Sequence, residues 1–283
     1  MRFTKLQALG NDFLAVCPNE ELDASRIGEF ARTVCERHTG VGADGLLVLS
    51  RGGQNRDELG FRIFNSDGSE AEISGNGLRC AMACLAHHGE IAGPRAVFKT
   101  SVGDRSGEII GRSGTLYEVR MEIGTPRFKS AEIPFDDGQV YERVLDYPLS
   151  INRKVYEVTS LSIGNPHCDV FVDRFPARIE WHQIGREIES HPFFPHRTNV
   201  EFVRVLNRGE IEVLFWERGV GETLSSGTGS SAAAVASILK GLTDRKVKVW
   251  TNGGALVVEW PQDGQVYQTG PAEVVFEGEY PAR

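Results

Sequence analysis

The sequence predicts an α+β fold of two pseudo-symmetric halves, each a curved, mostly antiparallel sheet around one central buried helix. Three observations predict it: landmarks that recur at a fixed spacing, many short strand-like stretches, and two charge-poor helices that open on glycine-rich turns. Gly10-Asn11 and Gly164-Asn165 each close a short apolar-rich segment, at an offset of 164 − 10 = 154. Ser74-Gly75-Asn76-Gly77 and Ser226-Gly227-Thr228-Gly229 each open an apolar run, at an offset of 226 − 74 = 152. Between these landmarks FRIF ends in Asn65, nine residues before Ser74, and VLFW ends in Glu217, nine residues before Ser226. Shared order and spacing point to two homologous halves.

Each element follows from its pattern. In the first half FLAVC, GLLVL, FRIF, AVFKT and LYEVRMEI read as strands; in the second KVYEVTSLSI, DVFV, NVEFVRV, EIEVLFW and VKVW do. Many alternate apolar and polar residues, as half-buried antiparallel strands do. Asp23–His38 and Trp181–Ser190 read as amphipathic surface helices, with Leu22 ahead of a cap at Asp23 or Ser25. Ala81–Ala86 and Ala232–Leu239 are small or apolar on every side apart from Ser237, the mark of a buried helix. The final strand, AEVVFEGEY, is expected to return to the first half. The expected domains are therefore 1–117 plus 269–283, and 118–268.

Composition narrows the function classes. The chain has 283 residues, 40% hydrophobic and 25% charged, an ordinary globular composition with room for two domains. Acidic residues outnumber basic ones 39 to 31, and no lysine or arginine block occurs, so no nucleic-acid role is expected. No apolar run approaches the roughly 18 residues of a spanning helix, and MRFTKLQALGNDF carries no apolar core with a cleavage site. A cytoplasmic protein without membrane contact is expected. Five cysteines without a CxxC pair suggest reduced thiols, and Cys80, Cys84 and Cys168 read as small core residues. Without HExxH or clustered Cys/His spacing no metal is expected. The phosphate loop GxxxxGK[ST] and the dinucleotide pattern are also absent.

The two SGxG turns carry the chemistry. A helix start presents unpaired N–H groups and the positive end of the macrodipole, and glycine lets a ligand approach the backbone. Each turn is a candidate anion cradle; equally, glycine there serves tight helix–sheet packing with serine as a plain cap. Duplication favours the cradle. If the halves face each other, both helix starts converge on one ligand, an arrangement suited to an amino-acid carboxylate and to proton transfer at its α-carbon.

The segments GNDF, VGADG, FNSDGSEAEISGNGLRC, GNPHCDVFV, RTNVEFV and WERGVGETLSSGTGSSAA resemble the diaminopimelate epimerase family along essentially the whole chain. The resemblance implies a homodimeric enzyme of two pseudo-symmetric α/β domains that needs neither pyridoxal phosphate nor a metal. It implies two-base α-proton transfer, converting LL-2,6-diaminopimelate to the meso form, by a cysteine pair on opposite faces of the substrate. Carried over by motif, it implies substrate contacts from Asn11, Asn65, Asn165, Asn199, Glu217 and Arg218, and carboxylate binding by the backbone at Gly75, Asn76, Gly227 and Thr228. His167 and Glu217 are implied to orient the acid–base pair.

The departure lies at the centre. Where the family pattern places its two catalytic cysteines, this chain has Ser74 and Ser226. A thiol has a reference pKa near 8.5 that a helix start lowers further, whereas a serine hydroxyl is far less acidic. Three readings follow: an epimerase impaired at both catalytic positions; a member with another reaction such as β-elimination, with a Ser226–His167 pair activating the hydroxyl; or a non-catalytic amino-acid binding protein.

Overall fold

The computed structural model describes residues 1–16, 25–51, 58–262 and 264–281, and its contacts divide the chain into two units, 1–122 with 269–283, and 123–268. The first half supplies β1 (Arg2–Ala8), β2 (Asn11–Val16), α1 (Ile27–Cys35), β3 (Gly45–Arg51), β4 (Glu58–Asn65), β5 (Glu70–Ala71), α2 (Gly75–His87), β6 (Arg95–Thr100), β7 (Gly103–Ser113) and β8 (Leu116–Gly124). The second supplies β9 (Val144–Ile151), β10 (Lys154–Ser162), β11 (Pro166–Phe171), α3 (Arg178–Glu189), β12 (Asn199–Asn207), β13 (Glu210–Glu217), β14 (Gly221–Thr223), α4 (Gly227–Leu239), β15 (Lys246–Thr251) and β16 (Gly254–Glu259), and β17 (Val266–Glu279) returns to the first unit.

In the first unit the strand pairings run in a closed ring, β1–β2–β3–β4–β6–β7–β8–β17 and back to β1. The β2/β3 and β4/β6 pairs are parallel and the other pairs of known direction are antiparallel. A parallel pair needs a crossover. Helix α1 makes the first and α2 the second. The second unit repeats the plan in the order β9–β10–β11–β12–β13–β15–β16, with β11/β12 and β13/β15 parallel and α3 and α4 as crossovers.

The registers repeat as well. Phe13 opposes Gly45 and His167 opposes Asn199, the same pairing displaced by 154 (167 − 13 and 199 − 45). Ile63 opposes Ala71 and Phe215 opposes Thr223, displaced by 152 (215 − 63 and 223 − 71). One strand breaks the pattern: beside β1 lies the C-terminal strand β17, whereas its counterpart β10 takes β9, which precedes it.

Side chains sort by the two-residue alternation of strands. In the second unit Cys168 and Val170 of β11, with Val200 and Phe202 of β12, join Trp181, Ile184 and Ile188 of α3 in one core cluster. In the first unit Leu14, Val16, Leu46 and Phe64 meet Ile27, Ala31 and Val34 of α1. The opposite faces turn toward α2 and α4, whose residues are buried from Gly75 to Leu85 and from Gly227 to Ser237. In α4 the enclosed side chains are mostly small, whereas α2 also buries Leu78, Arg79 and Met82.

Several elements differ from the sequence reading. Helix α1 begins at Ile27 with Arg26 as cap residue, so Ser25 does not cap it, and Leu22 and Asp23 lie outside the described residues. Helix α3 begins at Arg178, three residues before Trp181. The buried helices begin in the SGxG turns, at Gly75 and Gly227, as the sequence reading expects. Glycine does not delay them, because the cap serine satisfies the first-turn donor that would otherwise favour a loop.

Candidate functional site

Both turns are built alike. Ser74 and Ser226 have extended backbone (φ −138° and −126°), and each side-chain oxygen accepts the N–H three residues on, Gly77 at 3.0 Å and Gly229 at 3.3 Å. Ser226 is buried and Ser74 half-buried. Replacing either serine by alanine is expected to cost about 0.5–2 kcal/mol by denaturant unfolding; an unchanged midpoint would show that the hydroxyl does not serve as a cap.

The Gly-Asn landmarks meet these turns. Gly10 and Gly164 have φ of 81° and 106°, a backbone that favours glycine and delivers the next residue to the helix start. In the first unit Asn76 Nδ2 donates to Asn11 Oδ1 at 3.3 Å; in the second Asn165 Nδ2 donates to Thr228 Oγ1 at 3.4 Å. Asn11 also donates to Asp44 Oδ2 at 2.8 Å. Asp12 beside it is pushed up by burial, but hydrogen bonds from Arg37 and Lys5 outweigh that and hold its carboxyl down at about 2. Behind the first turn lies Arg79, fully buried, with Nη2 donating to Asn76 Oδ1 at 2.5 Å and Nε to Pro271 O at 3.3 Å.

Behind the second turn lies His167, with no exposed surface. Its Nδ1 lies 2.8 Å from Glu201 Oε1 and its Nε2 2.9 Å from Asn165 Oδ1. Both ring nitrogens are thereby engaged, and neither meets Ser226, so the Ser226–His167 pair that would activate the hydroxyl is not formed. Burial drives His167 down to about 3; the nearby Glu217 opposes this and Arg218 adds to it. Burial drives the Glu201 carboxyl well up, and Glu217 pushes it further. The contact is therefore a hydrogen bond between neutral groups rather than an ion pair. Gly229 is required at its position: a Cβ there would stand 2.6 Å from Glu201 Oε1 and 2.9 Å from the Phe215 ring.

The remaining expected residues lie nearby but are engaged locally. Asn199 Nδ2 donates to Pro166 O at 2.9 Å and its Oδ1 accepts Arg218 N at 3.0 Å. Glu217 accepts from Thr223 Oγ1 at 2.6 Å, Arg218 Nη1 donates to His196 O at 3.3 Å, and Asn65 donates to Ser69 Oγ at 3.0 Å. Gly227 O accepts from Gln268 Nε2 at 2.6 Å. Cys35, Cys80, Cys84 and Cys168 are buried and in no disulfide, and burial pushes Cys80 up to about 12, so it is no ready nucleophile. Among the described residues no cluster of metal ligands occurs, and no helix is long and apolar enough to cross a membrane.

Sequence reasoning missed Arg79, Glu201 and Asp169. Each had a signal: a charge inside an otherwise apolar element, Arg79 in GLRCAM, Glu201 in NVEFV, Asp169 in HCDVFV.

Two helix starts, each capped by serine and tied to an asparagine from a Gly-Asn turn, repeat one arrangement in both units and are matching candidate sites for an anionic small molecule. The diaminopimelate epimerase family profile matches residues 3–129 and 159–275, and the chain belongs to that family. A diaminopimelate epimerase of Pelotomaculum thermopropionicum is 44% identical over 284 residues, covering all of both chains. One from Moorella thermoacetica is 42% identical over 282 residues, covering 99% of each. Among solved structures, a Pseudomonas aeruginosa protein described as a predicted epimerase superposes with a TM-score of 0.71 at 16% identity, covering 100% of this chain and 99% of that one, a likeness of fold.

Proposed function

We propose that this chain binds 2,6-diaminopimelate and exchanges its α-proton, interconverting the LL and meso forms for lysine and peptidoglycan precursor synthesis. The observation that carries the reading is the matched pair of turns, Ser74 with Asn76 and Asn11, and Ser226 with Thr228 and Asn165. Each offers helix-start N–H groups at Gly75 and Asn76, or at Gly227 and Thr228, to a carboxylate. Ser74 and Ser226 occupy the proton-transfer positions. His167 and Glu217 tune that chemistry, and Asn65, Asn199 and Arg218 select the distal amino-acid end through charge-assisted contacts. No cofactor is part of this scheme. We also propose that the chain works as a homodimer in the cytoplasm, its two homologous halves being domains.

Turnover is expected to be slow. Each serine oxygen already accepts a backbone N–H as a cap, and its hydroxyl proton is bound far more tightly than a thiol's. A serine hydroxyl therefore gives up its proton far less readily than a thiol and leaves no populated base at neutral pH. The same cap geometry favours a second reading, ligand binding without turnover.

Proton NMR with LL-diaminopimelate in D2O tests both. Slow loss of the α-proton signal is the expected result, and protein-dependent line broadening without exchange would replace the enzyme reading with the binding one. A ligand that neither broadens nor exchanges would sink both.

A further inference from the structure

The interior face of the second unit carries a polar cluster that its homologous half lacks. His167 and Asp169 alternate along β11, and Asn199 and Glu201 oppose them residue for residue on β12. At the 154-residue offset the first unit has Phe13, Ala15 and Leu47 in place of His167, Asp169 and Glu201. All three are buried and apolar, so the fold does not need the polar set.

Within the cluster Asp169 has no exposed surface, and neither of its carboxyl oxygens has a hydrogen-bond partner among the described residues. Glu201 Oε2 is likewise unpartnered. Two carboxyls side by side on paired strands, both without exposed surface, do not both ionise. Burial and the charge of Glu201 raise Asp169, and burial with Glu217 raises Glu201. The hydrogen-bond geometry is satisfied by the same state. Asn165 presents an acceptor, Oδ1, to His167 Nε2, so the ring proton sits on Nε2. Nδ1 of the neutral ring is then an acceptor, and the group facing it at 2.8 Å, Glu201 Oε1, has to donate.

We propose that Glu201, paired with Asp169 on the neighbouring strand, is a positioning residue whose O–H fixes the direction of a hydrogen-bond chain through His167 and Asn165 to Thr228 at the start of α4. Every donor in the chain points the same way: Glu201 O–H to Nδ1, Nε2–H to Asn165, and Asn165 Nδ2–H to Thr228 Oγ1. Thr228 therefore accepts from inside and keeps its own proton for the solvent side, where it donates to an anion. At α2 the order is reversed, because Asn76 donates to Asn11 and Asn11 donates to Asp44. The two helix starts are thus chemically distinct despite their common plan. That the anion is a substrate carboxylate rests on the function proposed above; the chain's direction does not.

Multiple-bond 15N–1H NMR of histidine-labelled protein reads that direction, with the His167 signals assigned by their loss in His167→Gln. The expected result is a neutral ring protonated at Nε2 from pH 6 to pH 8. Glu201→Gln, whose amide N–H also donates to Nδ1, should keep that tautomer and bind diaminopimelate as the parent does. Glu201→Leu, the residue of the other half, should lose the fixed tautomer and bind about tenfold more weakly, the share of one buried hydrogen bond. A ring protonated at Nδ1, a charged imidazolium in this range, or a mixed tautomer in Glu201→Gln would overturn the proposal. Should the parent bind no diaminopimelate, the tautomer still decides it and only the functional reading falls.

Discussion

Replacing Ser74 and Ser226 together by cysteine is expected to raise α-proton exchange from diaminopimelate by about 10²–10⁴-fold, the range of a well-matched general acid–base pair. The substitution changes one atom in each side chain, and the extended cap backbone at both positions suits cysteine. What changes is acidity: a thiol with reference pKa near 8.5, placed at a helix start, becomes a populated thiolate near neutrality. Each single variant should gain little, because a proton removed by one group has to be supplied by the other, and groups that act as a unit are strongly non-additive. Deuterium incorporation followed by NMR gives the rate for all four proteins. A double variant no faster than the parent would mean that the pocket has lost more than its two thiols and that diaminopimelate is not its substrate.

The second large effect concerns stability. Asp169→Val is one heavy atom smaller and removes two buried oxygens that have no hydrogen-bond partner among the described residues, so the variant should be more stable by about 1–3 kcal/mol at neutral pH. The pH dependence follows from the direction of the shift. Asp169 keeps its proton in the folded chain at pH values where the unfolded carboxyl, near 3.9, has lost it. The folded state then holds more protons, so this group's contribution falls as pH rises above about 4. The advantage of Asp169→Val should therefore be small at pH 4 and grow toward pH 8. His167 acts in the opposite sense: held down at about 3 against 6.5 when unfolded, it contributes stability above pH 6.5 that is lost as pH falls toward 3. Urea titrations of both proteins across this range separate the two. An Asp169→Val protein less stable than its parent throughout would show that the carboxyl is solvated or paired.

Much of this was legible in the sequence. The two SGxG turns are helix starts because serine, glycine and a following apolar run state it locally, and the Gly-Asn turns carry their own backbone requirement. Strands β1, β7, β9 and β16 are not among those that alternation picks out. In β7, GDRSGEIIGRS, a single residue is buried, so its ladder to β6 and β8 leaves little apolar imprint. The polar cluster was illegible for another reason. Asp169 and Glu201 are 32 residues apart, and only the parallel register of β11 on β12 sets them opposite each other. Local patterns reveal that a charge sits in a buried strand but not which neighbour shares its interior. The Ser226–His167 pairing failed on the same ground, since Glu201 was not visible as the competing partner.

The strand that breaks the symmetry between the halves also orders events in time. Beside β1, translated well before the second half, lies β17, translated after it, and the Met1 amine donates to Tyr280 O at 2.8 Å. The half that is translated first thus stays an open ring, with β1 and β8 as bare edges, until residue 279 has been made. Strands β9 to β16 need no such wait for one another, so the later-born half is able to assemble first and the earlier-born half closes once β17 has been made.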